Sequence, residues 1–280
     1  MSALLRKPVA DPDASGEIVR ISRQDAGWET ISLRVIRLAP GGAHTLAQPD
    51  EELALVTLAG RVGVRAGGLH WELGGRRDVF SGMPHALYLP AGAAHVELAA
   101  VGGSCEVAVC GARATREHPP ALIGPEAVEV EIRGGENATR QINHILKPEF
   151  PADRLLVVEV YTPGGNWSSY PPHKHDVHNP PGEVDLDEIY YYRIARPEGY
   201  AIQRVYTRDG RRDETITVRD NDVVLIPDGY HPVVAAHGYD CYYLNVLAGS
   251  ARSMAASDDP DYAWVRGAWR GQDPRLPLVR

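Results

Sequence analysis

Two stretches of this 280-residue chain follow one plan. Asp78 to Val96 and Arg219 to Val233 each run through an apolar strand into a Pro-x-Gly turn, then reach a histidine. The parallel continues upstream. Glu52-Leu-Ala-Leu-Val-Thr-Leu-Ala echoes Glu188-Ile-Tyr-Tyr-Tyr-Arg-Ile-Ala, and Gly41-Gly-Ala-His44 echoes Gly164-Gly-Asn and the histidines beyond it. Self-similarity at so long an offset marks a duplicated domain rather than a short-repeat solenoid. The boundary belongs between Pro119 and Gly135, where Pro-Pro, Gly-Pro and Gly-Gly breaks cluster. Residues 1–125 and 126–280 are then the two halves.

Each half reads as β-structure. Helical i, i+3, i+4 periodicity is sparse, while β-branched and aromatic runs recur between turn residues. Twenty-eight glycines and 22 prolines supply those turns. The expected architecture is all-β, two tandem barrels with few short helices. A net charge of −8 and a pI near 5.8 argue against a nucleic-acid backbone as partner. Cys105, Cys110 and Cys241 are too few and too unpatterned for a disulfide framework, and read as buried small hydrophobes in a reducing compartment. The N-terminus lacks the apolar core of a signal peptide, and no stretch approaches the ~18 apolar residues of a membrane span. A cytoplasmic protein is expected. A homo-oligomer is a candidate assembly, through barrel edge strands or the aromatic tail at Trp264 and Trp269.

The chemistry concentrates in the second half. His173 and His175 are one residue apart on an extended segment, so their rings point to one side. Two such imidazoles suit a first-row transition metal. Glu188 opens an apolar-aromatic strand that returns after a loop, which favours it as a carboxylate ligand over Glu183 in that loop. His231 leaves a strand directly after Pro227-Asp-Gly229. The first half offers His44, Glu52 and His95 but has leucine at position 46, where the second histidine of a pair would stand. Three ligands can hold zinc, yet a decayed site with a structural role is the expectation there.

The order His, His, Glu, then a distant His after Pro-x-Gly resembles the two motifs of the cupin superfamily, small barrels that hold one divalent metal. One departure is a turn shortened to the single residue Tyr230 between glycine and histidine. More specifically, Ser168-Ser-Tyr-Pro-Pro-His-Lys-His-Asp, Asp187-Glu-Ile-Tyr-Tyr-Tyr-Arg, Gln203-Arg-Val-Tyr, Gly229-Tyr-His-Pro-Val and Gly238 to Gly249 resemble the 5-deoxy-glucuronate isomerases of bacterial myo-inositol catabolism. That resemblance implies a bicupin converting 5-deoxy-D-glucuronate to 5-dehydro-2-deoxy-D-gluconate, an aldehyde-to-ketone isomerisation. It also implies a metal held by His173, His175, Glu188 and His231. Zinc, manganese, iron or nickel tolerate such ligands, with zinc favoured by the resemblance. A small anionic sugar acid is the expected substrate.

Such a reaction needs a general base near C2, and Glu183, Tyr190, Tyr192, Lys174 and Tyr206 are the candidates. The carboxylate calls for a planar bidentate donor, with Arg204 first and Arg193 second. Alternatives are a cupin dioxygenase and a non-catalytic sugar- or metal-binding cupin.

Overall fold

The computed structural model describes residues 2–10, 15–47, 49–93 and 95–280. Antiparallel strands make up almost all of its regular structure. Among the described residues, helix is confined to the four residues Arg23–Ala26 and the 3-10 turns Pro125–Ala127 and Ala263–Gly267. Among the described residues, no helix is long and apolar enough to cross a membrane.

The chain divides into two compact units. The earlier one takes residues 8–129 and 145–157, and the later one takes the N-terminal residues through Lys7, then 130–144 and 158–280. The crossing expected near residue 125 is thus spread over several points.

The duplication is legible strand by strand. In the later unit Val223–Ile226, Leu186–Ile194 and Cys241–Gly249 are successive neighbours in one sheet. A second sheet has the order Trp167–Ser168, Val233–Ala235, Ala201–Tyr206, Asp213–Val218. In the earlier unit Ala86–Leu89, Glu51–Ala59 and Cys105–Arg113 repeat the first order. Ala43–Leu46, Val96–Ala100, Val62–Ala66 and Leu69–Leu73 repeat the second. Each unit closes on its own apolar core. Leu46, Leu53, Leu55, Leu87 and Leu89 belong to one, and Val158, Tyr190, Tyr192, Ile226 and Tyr243 to the other.

Register shows where the halves part. Glu188 lies opposite Ile226, and Leu53 lies opposite Leu89. Ile226 and Leu89 each immediately precede the Pro-x-Gly turn. Leu53 therefore holds in its barrel the place Glu188 holds in the other, and the sequence echo of Glu52 with Glu188 is off by one residue. One residue along a strand is a change of face. Leu53 packs into the core. The Glu52 carboxylate instead accepts bonds from the N–H groups of Asp153 (2.8 Å), Arg154 (2.6 Å) and Leu155 (2.7 Å), and from the Tyr88 hydroxyl (2.7 Å).

The same segment is tied a second time at Asp153, which accepts from the Thr115 N–H (2.8 Å), the Arg116 N–H (3.1 Å) and Arg116 Nε (2.7 Å). Burial pushes the Asp153 carboxyl up, but these donors outweigh it and hold it at about 2. A carboxyl lowered on folding stabilises the fold above its ordinary value of 3.8, and that stability is lost as pH falls towards 2. Melting followed by circular dichroism is expected to show a midpoint that drops across this window. In Asp153→Asn the drop should be shallower.

The tail folds back over the later unit. Ser257–Asp258 pairs with His173–Lys174, and the N–H groups of Leu278 and Val279 donate to Gln141 Oε1 at 2.8 and 3.2 Å. Trp269 closes over Gly135, where a Cβ would come within 2.4 Å of its side chain, and Trp264 stays exposed.

Candidate active site

In the later unit a cavity of about 180 Å³ is lined by His173, His175 and Glu188. Leu186, Leu247, Met254 and Ala256 form its apolar wall, and Arg133, Arg140, Asp258 and Arg266 supply further charge.

His175 is buried, with Nδ1 3.0 Å from the Leu186 carbonyl oxygen and Nε2 3.0 Å from Glu188 Oε2. His231 is fully buried, with Nδ1 2.9 Å from the Gly229 carbonyl oxygen. Its Nε2 lies 3.2 Å from the same Glu188 oxygen and has no hydrogen-bond partner. A carbonyl can only accept, so each Nδ1 carries a proton, and in a neutral ring the lone pair then stands at Nε2, towards Glu188. Two lone pairs aimed at one carboxylate oxygen repel unless a cation or a proton lies among them. Metal-binding histidines characteristically donate their other ring nitrogen to a backbone carbonyl in this way. His175, Glu188 and His231 each offer a ligand atom within 4.8 Å of the others. The donor set fits a divalent cation.

The His173 ring lies 5.0 Å from that of His231 and 6.3 Å from that of His175, beside the tight group of three. Burial, reinforced by the two neighbouring histidines, holds His173 well below its ordinary value and so neutral. Burial opposes a charge on Glu188, yet the two imidazoles that face its carboxylate, His175 and His231, bring it down to about 2. Burial likewise opposes a charge on His175, but the Glu188 carboxylate outweighs it and raises that imidazole.

The shortened turn is what aims His231. Gly229 has φ +87°, and a Cβ there would approach the Tyr206 carbonyl oxygen to 2.6 Å, so only glycine fits. Tyr206 and Tyr230 then exchange both backbone hydrogen bonds, at 2.9 and 2.8 Å, and His231 leaves the turn into the interior.

The other expected site residues are placed elsewhere. Lys174 alternates away from its histidine neighbours and pairs with Glu183 at 2.7 Å. Glu183 also accepts from the N–H groups of Asp176 and Val177, both at 3.0 Å, and so ties its own loop. The Tyr190 hydroxyl is 3.0 Å from Ser169 Oγ, with its ring 5.9 Å from that of His231. Tyr192 donates to Gln203 Oε1 at 2.9 Å. Both tyrosines are core residues, and burial pushes both phenols well above their ordinary value. Tyr206 donates to Asp259 Oδ2 at 2.6 Å. Arg193 pairs with Asp220 at 2.9 Å. Arg204 grips Asp213 through two bonds of 2.8 Å and lies 4.1 Å over the Tyr206 ring. None of these residues lines the cavity. The arginines that do are Arg133, Arg140 and Arg266, and the carboxylate besides Glu188 is Asp258. No motif flagged them. Arg133 and Arg140 flank the Gly134-Gly135 break, and Asp258 and Arg266 lie in a tail without periodic pattern.

The described residues of the earlier unit form no such group. Among the described residues the one group able to hold a metal is that of the later unit. His44 Nδ1 is 2.9 Å from the Ser15 carbonyl oxygen, His95 is exposed, and Leu46 and Leu53 fill the core.

Twin antiparallel barrels, one of them with an inward cluster of histidine and glutamate, define a two-domain cupin. The KduI/IolB family matches residues 4–265, and the chain belongs to that family. It is 46% identical over 256 residues to a protein of Geobacillus thermodenitrificans named 5-deoxy-glucuronate isomerase, covering 91% of this chain and 93% of that one. A protein of the same name from Listeria innocua is 39% identical over 270 residues, covering 95% and 98%. Among solved structures, an IolB-like protein from Salmonella typhimurium superposes with a TM-score of 0.89 at 40% identity, covering 94% of this chain and 98% of that one. A variant of Bacillus subtilis oxalate decarboxylase reaches 0.63 at 14% identity, covering 92% and 80%, and speaks for the fold alone.

Proposed function

We propose that this chain is a metal-dependent aldose–ketose isomerase that converts 5-deoxy-D-glucuronate to 5-dehydro-2-deoxy-D-gluconate. The observation that carries the reading is the convergence of two buried imidazole nitrogens on the Glu188 carboxylate at the wall of a small charged cavity. The relatives' shared name supplies the reaction.

His175, Glu188 and His231 would hold the metal, with His173 beside His231 completing the set. Zinc, manganese, iron and nickel all accept nitrogen and carboxylate ligands of this kind. When bound, the metal polarises the substrate's carbonyl. The protein's own groups then have three tasks. The wall of Leu186, Leu247, Met254 and Ala256 keeps bulk water from the reacting carbons. While the proton of the C2 hydroxyl passes to the C1 oxygen, a base takes the proton from C2 and C1 receives one, so the reaction is neutral in protons and electrons. Asp258 is the lining carboxylate outside the histidine cluster and is assigned that transfer. Arg266 fixes its orientation through bonds of 2.5 and 2.8 Å.

Oxygen-free incubation of the metal-loaded protein with 5-deoxy-D-glucuronate tests this reading. Conversion of the aldose towards its equilibrium with the ketose is expected. Turnover that requires oxygen would overturn it and leave dioxygenation in its place.

A further inference from the structure

We propose that Arg140 is the receptor for the substrate's carboxylate, a sugar-acid subsite at the opposite functional end of the reaction from the metal ligands. The inference rests on the isomerase reading for the substrate's identity, and on the structure alone for the presence of an anion receptor.

Arg140 is only 3% exposed, yet its hydrogen bonds go to carbonyl oxygens and none to a carboxylate; Glu131, which raises its pKa through space, is itself bonded by Arg133 and His144. Its two hydrogen bonds both come from Nη1, to the carbonyl oxygens of Tyr170 (3.1 Å) and Ala138 (3.4 Å). A guanidinium has five N–H donors in a planar fork, so Nε and Nη2 are left uncommitted. Burial pulls its pKa down to about 10, which still leaves it charged at neutral pH.

The neighbouring arginines differ. Arg133 is engaged by Glu131 through two bonds of 2.7 Å, and Arg266 is held by Asp258. Both are neutralised locally. Arg140 is therefore the one lining arginine whose guanidinium is not paired directly with a carboxylate.

A buried cation without a directly paired carboxylate is costly to the fold. Its presence is accounted for by an anion that arrives with the ligand. A planar fork matches a carboxylate in two parallel bonds. The substrate has a carbonyl at one end and a carboxylate at the other, and this cavity offers one receptor for each. Arg193 and Arg204 cannot serve, because Asp220 and Asp213 already occupy their guanidinium groups outside the cavity.

The test compares wild type, Arg140→Ala, Arg140→Met and Arg140→Lys on 5-deoxy-D-glucuronate and on uncharged 5-deoxy-D-glucose, with metal content and melting curves for each. In Arg140→Ala and Arg140→Met, KM for the acid should rise about a hundredfold, while kcat/KM for the uncharged sugar stays within about threefold of wild type. Metal content should be unchanged. Arg140→Lys restores the charge without the fork and should recover part of the loss. Arg140→Met keeps the side-chain bulk and so reads the charge effect if truncation to alanine prevents folding. Arg204→Ala is the control, with KM for the acid expected within about twofold of wild type.

Folded, metal-replete Arg140 variants whose KM for the acid matches wild type would overturn the subsite and leave the isomerase reading standing. Wild-type protein that binds the acid calorimetrically in an Arg140-dependent way, without turning it over, would support the subsite and overturn the isomerase reading. Wild-type protein that neither binds nor converts the acid would overturn both.

Discussion

Glu188→Gln is expected to strip the protein of both metal and turnover while leaving the barrel folded. Glu188 Oε2 lies 3.0 Å from His175 Nε2 and 3.2 Å from His231 Nε2. The amide matches the side chain in shape but removes the charge on which two imidazoles converge. Loss of groups that merely orient metal ligands already costs about 10–100-fold in affinity, so loss of a ligand should cost at least about a hundredfold. Competition with a chromogenic chelator measures the affinity, and the oxygen-free assay measures the turnover. The fold should survive, because the amide keeps the side chain's shape and can still donate to the neutral imidazoles. The chain holds a natural precedent, since Leu53 fills the corresponding place in the earlier barrel. A Glu188→Gln protein with full metal content and wild-type turnover would exclude Glu188 as a ligand.

Glu52→Ala is expected to act in the opposite way, on stability and not on the metal. The substitution removes the one acceptor shared by three consecutive backbone N–H groups and the Tyr88 hydroxyl. Buried donors left without partners cost about 1–3 kcal/mol each when water cannot reach them. A total of roughly 3–5 kcal/mol follows, since Arg154 is only partly buried and water can replace one bond. The midpoint should fall by about 10 °C, and limited proteolysis should open the chain within residues 145–157. Metal content should remain that of wild type. If Glu52 were instead a ligand in a working first barrel, the metal count would fall and the midpoint would barely move.

These two glutamates show what the sequence makes legible and what it hides. The duplication and the all-β class can be read directly, because turn residues and period-two strands are local signals, and the same signals nominate His173, His175, Glu188 and His231 as candidates. The echo of Glu52 with Glu188 misleads by one position, because two strands of similar composition can be aligned either way and only register assigns the faces. Tyr190 and Tyr192 do share a face with Glu188, but that face continues below the site into the core. Arg204 looks like an anion receptor until its partner across the hairpin is known, and Asp213 is that partner. Arg140 could not be singled out at all, since what distinguishes it is the lack of a directly paired carboxylate in a buried setting, a property of the fold.

One barrel of the two is proposed to hold a metal-dependent isomerase site. The most direct test is elemental analysis paired with the oxygen-free assay on a single preparation, before chelation, after it, and after divalent metal is restored. The predicted result is one metal per chain, not two, with conversion of 5-deoxy-D-glucuronate disappearing with the metal and returning with it. Undiminished conversion by protein holding less than about a tenth of an equivalent of metal would contradict the account.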